Sequence, residues 1–394
     1  MNTTYLYKTK WQSQYIDIQN KIPSFQCEPA VSNVKNAMVL PSIKDDKLYW
    51  GLGGGVLDSK GALIESSIVK GAFGGKYEYD SGNVIYIDEP VIYLGIMPLH
   101  WGHFLIDFLS KVWFLSEMSA SYKLLYIPRY FDGPIEGSFM ELLTLAGINI
   151  QNLIAVRQPT KVKEIIIPDS VMGFGTHFSK NHYRNVTLRI ADAAMKKAGN
   201  LNLPVYERVY FTRRQFCGQD VGEKEIEEDF ERNDFKVLSP ETLSVVEQIH
   251  YINTSKLIAS LSGTICHNFV FSKGNAELII LNRHPQPNLP QFRINYIFDV
   301  NCTWVDVYNK WQLRHVQEYG SRMIWVEFSS SLKRFFKDRG WHYSTIRIFR
   351  GALKNYVRFY SHWFIIPMYW NMRAKMGLCA RRIVSMLGIR KYNS

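Results

Sequence analysis

Acidic side chains nearly vanish from the last 64 residues of this chain: between Ser331 and Ser394 stand 14 Lys and Arg against one acid, Asp338. Such one-signed charge excludes an ordinary solvated surface of mixed sign. Of 47 basic and 35 acidic residues in the whole chain, the first 330 positions hold 33 and 34, so the formal net charge of +12 belongs to the tail. Long apolar runs are missing too. No stretch reaches the ~18 residues that span a bilayer, and the run from Trp363 to Trp370 is short and broken by Pro367. The opening MNTTYLYKTKWQSQYIDIQNK lacks the apolar core of a signal peptide. Cysteine is scarce: Cys27, Cys217, Cys266, Cys302 and Cys379 are widely spaced, odd in number and without a CxxC pair. That argues against a disulfide framework and fits a reducing compartment. A cytoplasmic protein is the expectation.

The tail mixes its cations with aromatics and aliphatics. Arg347, Arg350, Lys354 and Arg358 recur at helical spacing, while Ile346, Phe349, Leu353, Tyr356, Val357 and Tyr360 fill much of the remaining circumference. One stripe is cationic and another apolar, which suits a foot resting on an anionic membrane surface. Each Lys or Arg near such a surface is worth roughly 1 kcal/mol. A basic helix packed on the body would carry the same letters. Nucleic acid is not an expected partner, because the charge lies outside the body and no nucleic-acid motif accompanies it.

At 394 residues and 46% hydrophobic content the chain is long enough for two domains and an appendage. The first ninety residues read as β-rich and irregular. Gly51, Gly53, Gly54 and Gly55 read as turn or bulge glycines, since no strand-then-helix frame surrounds them. From Asn83 strands and helices alternate: VIYIDEPVIYLG, HWGHFLIDFLSKVWFL, KLLYIP, SFMELLTLAG, NLIAV and EIIIPD. A second series opens after Pro204 with ERVYFTR and closes with AELIIL. The periodicity predicts an α/β protein with two doubly wound, Rossmann-like domains facing a cleft, and a basic helical tail. The expected units are residues 1–200, with the β-rich start, then 201–330, then 331–394.

Four segments bear polar groups that chemistry could use. In His100-Trp-Gly-His103-Phe-Leu-Ile-Asp107, His103 and Asp107 sit at i, i+4 on one helical face, an arrangement suited to a general base; a packing helix would look alike. No further cluster supports a metal there. Arg213 and Arg214 end the strand YFTRR, where guanidinium forks can meet phosphate oxygens. Ser262, Gly263 and Thr264 link a buried strand to a helix, so their amides can face a diphosphate. Glu247 and Gln248 lie on the preceding helix, and alone they read as a polar helix face.

GHFLIDFLSKVWFL, the YFTRR strand end and the block FKVLSPETLSVVEQIHYINTSKLIASLSGTICHNFVF together resemble glycosyltransferase family 61, especially its bacterial members from capsule and surface-polysaccharide clusters. The resemblance implies a GT-B-like architecture and an inverting, metal-independent transfer from a nucleotide-sugar, expected to be UDP-linked, bound in the C-terminal domain. It places His103 and Asp107 on the acceptor side, either one serving as base. Arg213, Arg214, Glu247, Gln248, Gly263 and Asn268 then align with donor-side positions. Where many members read His-Gly-Ala-Gly-Leu-Thr-Asn, this chain has Ser262 through Asn268 with His267 late in the motif, so His267, Ser262 and Thr264 join the expected diphosphate contacts. No cofactor beyond the donor is implied. The implied acceptor is a glycan or polyprenyl-linked sugar, and the implied location is the inner face of the plasma membrane. Two other readings stay open: a non-catalytic subunit of a polysaccharide assembly complex, and another nucleotide-dependent transferase of pyruvyl or phosphosugar groups.

Overall fold

The computed structural model describes residues 4–8, 12–43, 53–69, 73–117, 122–129, 133–173, 177–215, 221–309 and 324–361, with Ile365, Met368, Tyr369 and Met372 beyond; the side chains of 346–350 and 352 fall outside it. Gly51, Cys217, Cys379, Trp363, Phe364, Ile366 and Trp370, and the side chains of Arg347, Arg350, Ile346 and Phe349, therefore lie outside the described set. Among the described residues there are two six-stranded sheets.

The first sheet runs β3-β2-β7-β4-β5-β6, built from β2 (Val31–Leu40), β3 (Gly55–Leu57), β4 (Ile85–Pro98), β5 (Lys123–Arg129), β6 (Leu153–Ala155) and β7 (Thr160–Pro168). Strands β4 to β7 are parallel, but β2 pairs antiparallel with both β3 and β7. A doubly wound sheet was expected here, and the antiparallel return of β2 makes it mixed. Gly54 and Gly55 take positive φ at the start of β3, in keeping with the turn reading of that glycine cluster.

The second sheet is parallel throughout, in the order β1-β12-β11-β10-β8-β9. Its strands are β1 (Thr4–Tyr7), β8 (Arg208–Phe211), β9 (Lys236–Leu238), β10 (Leu257–Leu261), β11 (Glu277–Asn282) and β12 (Asn301–Asp306). It has the doubly wound form: from β8 the order runs one way to β9 and the other way through β10, β11 and β12. Strand β1 pairs with β12 at the far edge, so the first strand of the chain joins the second sheet. Lys8 fastens that edge through a buried 2.7 Å ion pair with Asp306.

Period-two side-chain alternation sorts the core into three layers. In β11, Leu278 and Ile280 face the central layer while Ile279 and Leu281 face an outer one; in β4, Ile92 and Leu94 face the centre while Val91 and Tyr93 face the other side. The central layer is shared by both sheets. Helix α1 (Gln12–Lys21) contributes Tyr15 to it. The helical segment after β4 fills much of the rest: α2 (Trp101–His103), a π turn (Phe104–Phe108) and 3-10 turns (Leu109–Glu117). Helix α3 (Gly137–Leu145) follows β5 and stops near Gly147, which takes φ +77°. Helix α4 (Lys180–Gly199) buries Tyr183, Val186, Ile190, Ala194 and Ala198, spaced three and four apart, and packs on α6 (Val245–Thr254) and α8 (Leu289–Ile297). On the outer face of the second sheet, α5 (Glu223–Glu231) and α9 (Ser330–Asp338) cover Tyr210, Ile279 and Val305. The last described helix, α10 (Thr345–Tyr360), packs on α5. No helix among the described residues is long and apolar enough to cross a membrane.

Candidate active site

In an open α/β sheet, ligands favour the crevice beyond the carboxyl ends of the strands where the strand order reverses. In the second sheet that crevice lies between β8 and β10. Strand β8 ends into Thr212, Arg213 and Arg214, β10 into Ser262 and Gly263, and β11 into Arg283. Arg213 Nη1 donates to the Ser262 carbonyl at 3.2 Å, and Arg283 Nε donates to the same oxygen at 2.8 Å. Both arginines are buried, so their field is only weakly screened by solvent. Gly263 lets Arg213 approach: a Cβ there would fall 2.6 Å from Arg213 Nη1. Two guanidinium groups thus meet over one carbonyl, a concentration of positive charge suited to a diphosphate.

Helix α5 supports this crevice from behind. Glu223 accepts from the Arg213 backbone N–H at 3.0 Å, and Glu227 takes both Thr212 Oγ1 and, at 2.6 Å, Arg214 Nη1. Burial pushes the Glu227 carboxyl up, against the pull of Thr212 and Arg214. Arg214 is half exposed, so its guanidinium is anchored at one end and wet at the other. Ser262 turns inward: its N–H bonds the Leu281 carbonyl and its Oγ accepts from the Arg283 N–H. Its amide is therefore committed within the sheet.

Three more expected donor contacts do architectural work. Glu247 closes a capping box at the start of α6, its Oε2 accepting from the Ser244 N–H and Oγ, both at 2.8 Å. Gln248 Nε2 donates to the carbonyls of Pro240 and Leu243 while its Oε1 accepts from Asn268 Nδ2 at 2.7 Å. Asn268 Oδ1 in turn accepts from Trp101 Nε1 at 2.6 Å. Gln248 and Asn268 thereby strap α6 and α7 (Thr264–His267) of the second unit to α2 of the first. Alongside, Thr264 packs on Gly102, where a Cβ would fall 2.6 Å from Thr264 Cγ2 and 3.3 Å from His267 Nδ1.

The chain leaves β4 directly into the other half of the site. His103 Nδ1 lies 2.8 Å from Asp107 Oδ2, and both side chains are buried. The pair spans the π turn, an irregularity that often marks functional positions. Ser110 Oγ donates to the Asp107 carbonyl and Tyr183 to the Leu105 carbonyl, fixing the turn. The His100 ring stands 5.0 Å from the His103 ring, centroid to centroid. His267 comes to this side of the interface: burial, then the fields of His103 and His100, push its imidazole down to about 4, so it is neutral at pH 7. Arg293 arrives from α8 and donates through Nη1 to the Gly173 carbonyl. Its guanidinium is pushed down to about 10 by burial, opposed by the Asp107 carboxylate.

Arg283 and Arg293 escaped sequence reasoning. Arg283 follows a strand end as Arg213 does, a signal that could have found it; Arg293 sits in an apolar helix, LPQFRINYI, where a lone cation is itself a flag. Among the described residues no three His, Cys, Asp or Glu side chains gather closely enough to hold a metal ion.

Residues 101–279 match the family model Glycosyltransferase 61, a span that covers less than half of the chain. It begins at Trp101, the first residue of α2, and ends within β11, so Arg213 and the His103–Asp107 pair fall inside it, while Arg283 and Arg293 lie beyond its end. No curated protein matches the chain.

Proposed function

We propose that this chain is a glycosyltransferase that moves a sugar from a nucleotide-diphosphate donor to a hydroxyl of a surface polysaccharide or polyprenyl-linked acceptor, with inversion and without a metal. The observation that carries the reading is the pairing of two half-sites: the Arg213–Arg283 crevice at the reversal of the second sheet, and the buried His103–Asp107 pair after β4 of the first. Two α/β units meeting at such a site fit a GT-B-like arrangement. In this mechanism Asp107 orients His103 through Nδ1, and His103 takes the proton of the acceptor hydroxyl. The acceptor oxygen bonds to the anomeric carbon as the bond from that carbon to the diphosphate oxygen breaks. The electron pair leaves on the diphosphate, where Arg213, Arg283 and Arg214 stabilise the growing charge. With purified protein and EDTA present, nucleotide release from a panel of UDP-, GDP- and CDP-sugars is expected for one donor and lost in Arg213→Ala. Silence across the panel in both release and binding assays would leave the non-catalytic assembly subunit as the better reading.

The tail supports placement on the inner leaflet. On α10, Gly351, Asn355 and Phe359 face the body, and the Phe359 ring packs 5.6 Å from that of Trp325. Leu353, Val357 and Tyr360 are exposed on the other side beside Lys354 and Arg358, and Ile365, Met368, Tyr369 and Met372 are exposed as well. An apolar ridge flanked by cations is the form of a helix lying in an anionic interface. Removing residues 345–394, which leaves both sheets and α9 intact, is expected to release the protein from phosphatidylglycerol vesicles in a flotation assay. Retention at physiological salt would exclude the tail as the anchor.

A further inference from the structure

The mechanism above leaves Arg293 unused. This residue is fully buried, on a helix that otherwise turns Phe292, Ile294 and Ile297 into the core. One of its three guanidinium nitrogens, Nη1, donates to the Gly173 carbonyl across the interface between the units. The other two, Nε and Nη2, have no hydrogen-bond partner among the described residues. Those two are the side-on fork of an arginine: their N–H bonds run parallel at the spacing of two oxygens of a carboxylate or phosphate. Leaving such donors dry and unmatched is costly, so a buried cation in this state marks a place prepared for a partner.

The neighbours of Arg293 indicate which partner. Gly173 adjoins both Arg293 and Asp107: its carbonyl takes Nη1, and a Cβ built on it would lie 3.8 Å from Asp107 Oδ1. The fork is therefore on the proton-accepting side of the cleft. The donor diphosphate has its own guanidinium groups at the ends of β8 and β11, from Arg213 and Arg283. Asp107 offsets the charge of Arg293 without filling the fork.

We propose that Arg293 is the receptor for an acidic group, a carboxylate or a phosphate, carried by the sugar acceptor close to the hydroxyl that receives the glycosyl unit. The acceptor is then an acidic glycan such as a uronic acid or a phosphate-bearing sugar, and a neutral glycan fits poorly because it leaves the fork unmatched. This assignment rests on the glycosyl-transfer reading of the same site. Entry of the acid requires the units to part where Arg293 meets Gly173, and the contact it then makes is shielded from water and so strongly selective.

Calorimetry on the full chain, with and without saturating UDP, tests the assignment with methyl β-D-glucuronide against methyl β-D-glucoside, and glycerol 3-phosphate against glycerol. At least one acid is expected to bind about ten- to a hundredfold tighter than its neutral partner, the range for charged hydrogen bonds. Arg293→Gln should erase that preference and leave UDP affinity at the parental value. Should Arg293→Gln not fold, Arg293→Lys keeps the charge without the fork and should lose most of the preference. Equal binding of acid and neutral ligands by the parent, or an undiminished preference in either variant, overturns the proposal. So does a loss of UDP affinity in Arg293→Gln, which would assign the fork to the donor diphosphate. A chain that prefers the acid yet binds no nucleotide would keep the anion site and lose the transferase reading; the reverse result would lose the site alone.

Discussion

Replacing Asp107 with Asn is expected to lower glycosyl transfer by about 10²- to 10⁴-fold, the usual contribution of an oriented general base, while nucleotide affinity stays near the parental value. The carboxylate accepts from His103 Nδ1 at 2.8 Å and sits inside the core, where water cannot take over its place. That acceptor fixes the imidazole with its proton on Nδ1 and so leaves Nε2 basic. An asparagine can turn its NH₂ toward Nδ1, which selects the other tautomer and puts a proton where the acceptor hydroxyl needs a lone pair. Shape and packing barely change, so the π turn should survive, with Ser110 and Tyr183 still bonded to its carbonyls. Initial rates of transfer and calorimetric titration with UDP measure the two halves separately. A parental rate in Asp107→Asn would make the pair a piece of architecture, and a loss of UDP binding would move it to the donor side.

How much of this was legible before any fold existed depended on how local each signal is. The strands β10 and β11 announce themselves as short apolar runs because both their faces are covered, and the Arg213 end of β8 follows from the strand before it. The His103–Asp107 pair was legible because four residues bring it to one helical face, even though the segment folds with a π turn there. The position of β1 was not legible. Its register is set by β12, and Lys8 meets Asp306 across 298 residues, a pairing no local pattern encodes. Glu247, Gln248 and Asn268 illustrate a different loss. A polar side chain on a helix has the same letter whether it caps the helix, straps two units or holds a phosphate, and no local pattern names partners such as Ser244, Pro240 and Trp101. Arg293 fell between these cases: its chemistry was visible, but that it is dry was not.

Gly263→Ala is expected to weaken donor nucleotide binding by about ten- to a hundredfold, as much as Arg213→Ala, with the double variant no weaker than either alone. The backbone at Gly263 is extended, φ 164°, a conformation any residue adopts, so the effect is purely one of space. The added methyl would stand 2.6 Å from Arg213 Nη1 and 3.3 Å from Cζ, and the guanidinium must leave the Ser262 carbonyl to make room. Its backbone N–H remains tied to Glu223, so the side chain swings while the strand end stays. Arg283 keeps its own 2.8 Å bond to Ser262 and should sustain residual binding. Titration of UDP into the parent, both single variants and the double variant closes a thermodynamic cycle. Additive losses would mean that Gly263 and Arg213 act on the donor independently. Parental affinity in Gly263→Ala, with Arg213 displaced, would remove that arginine from the site and leave Arg283 and Arg214 to hold the diphosphate.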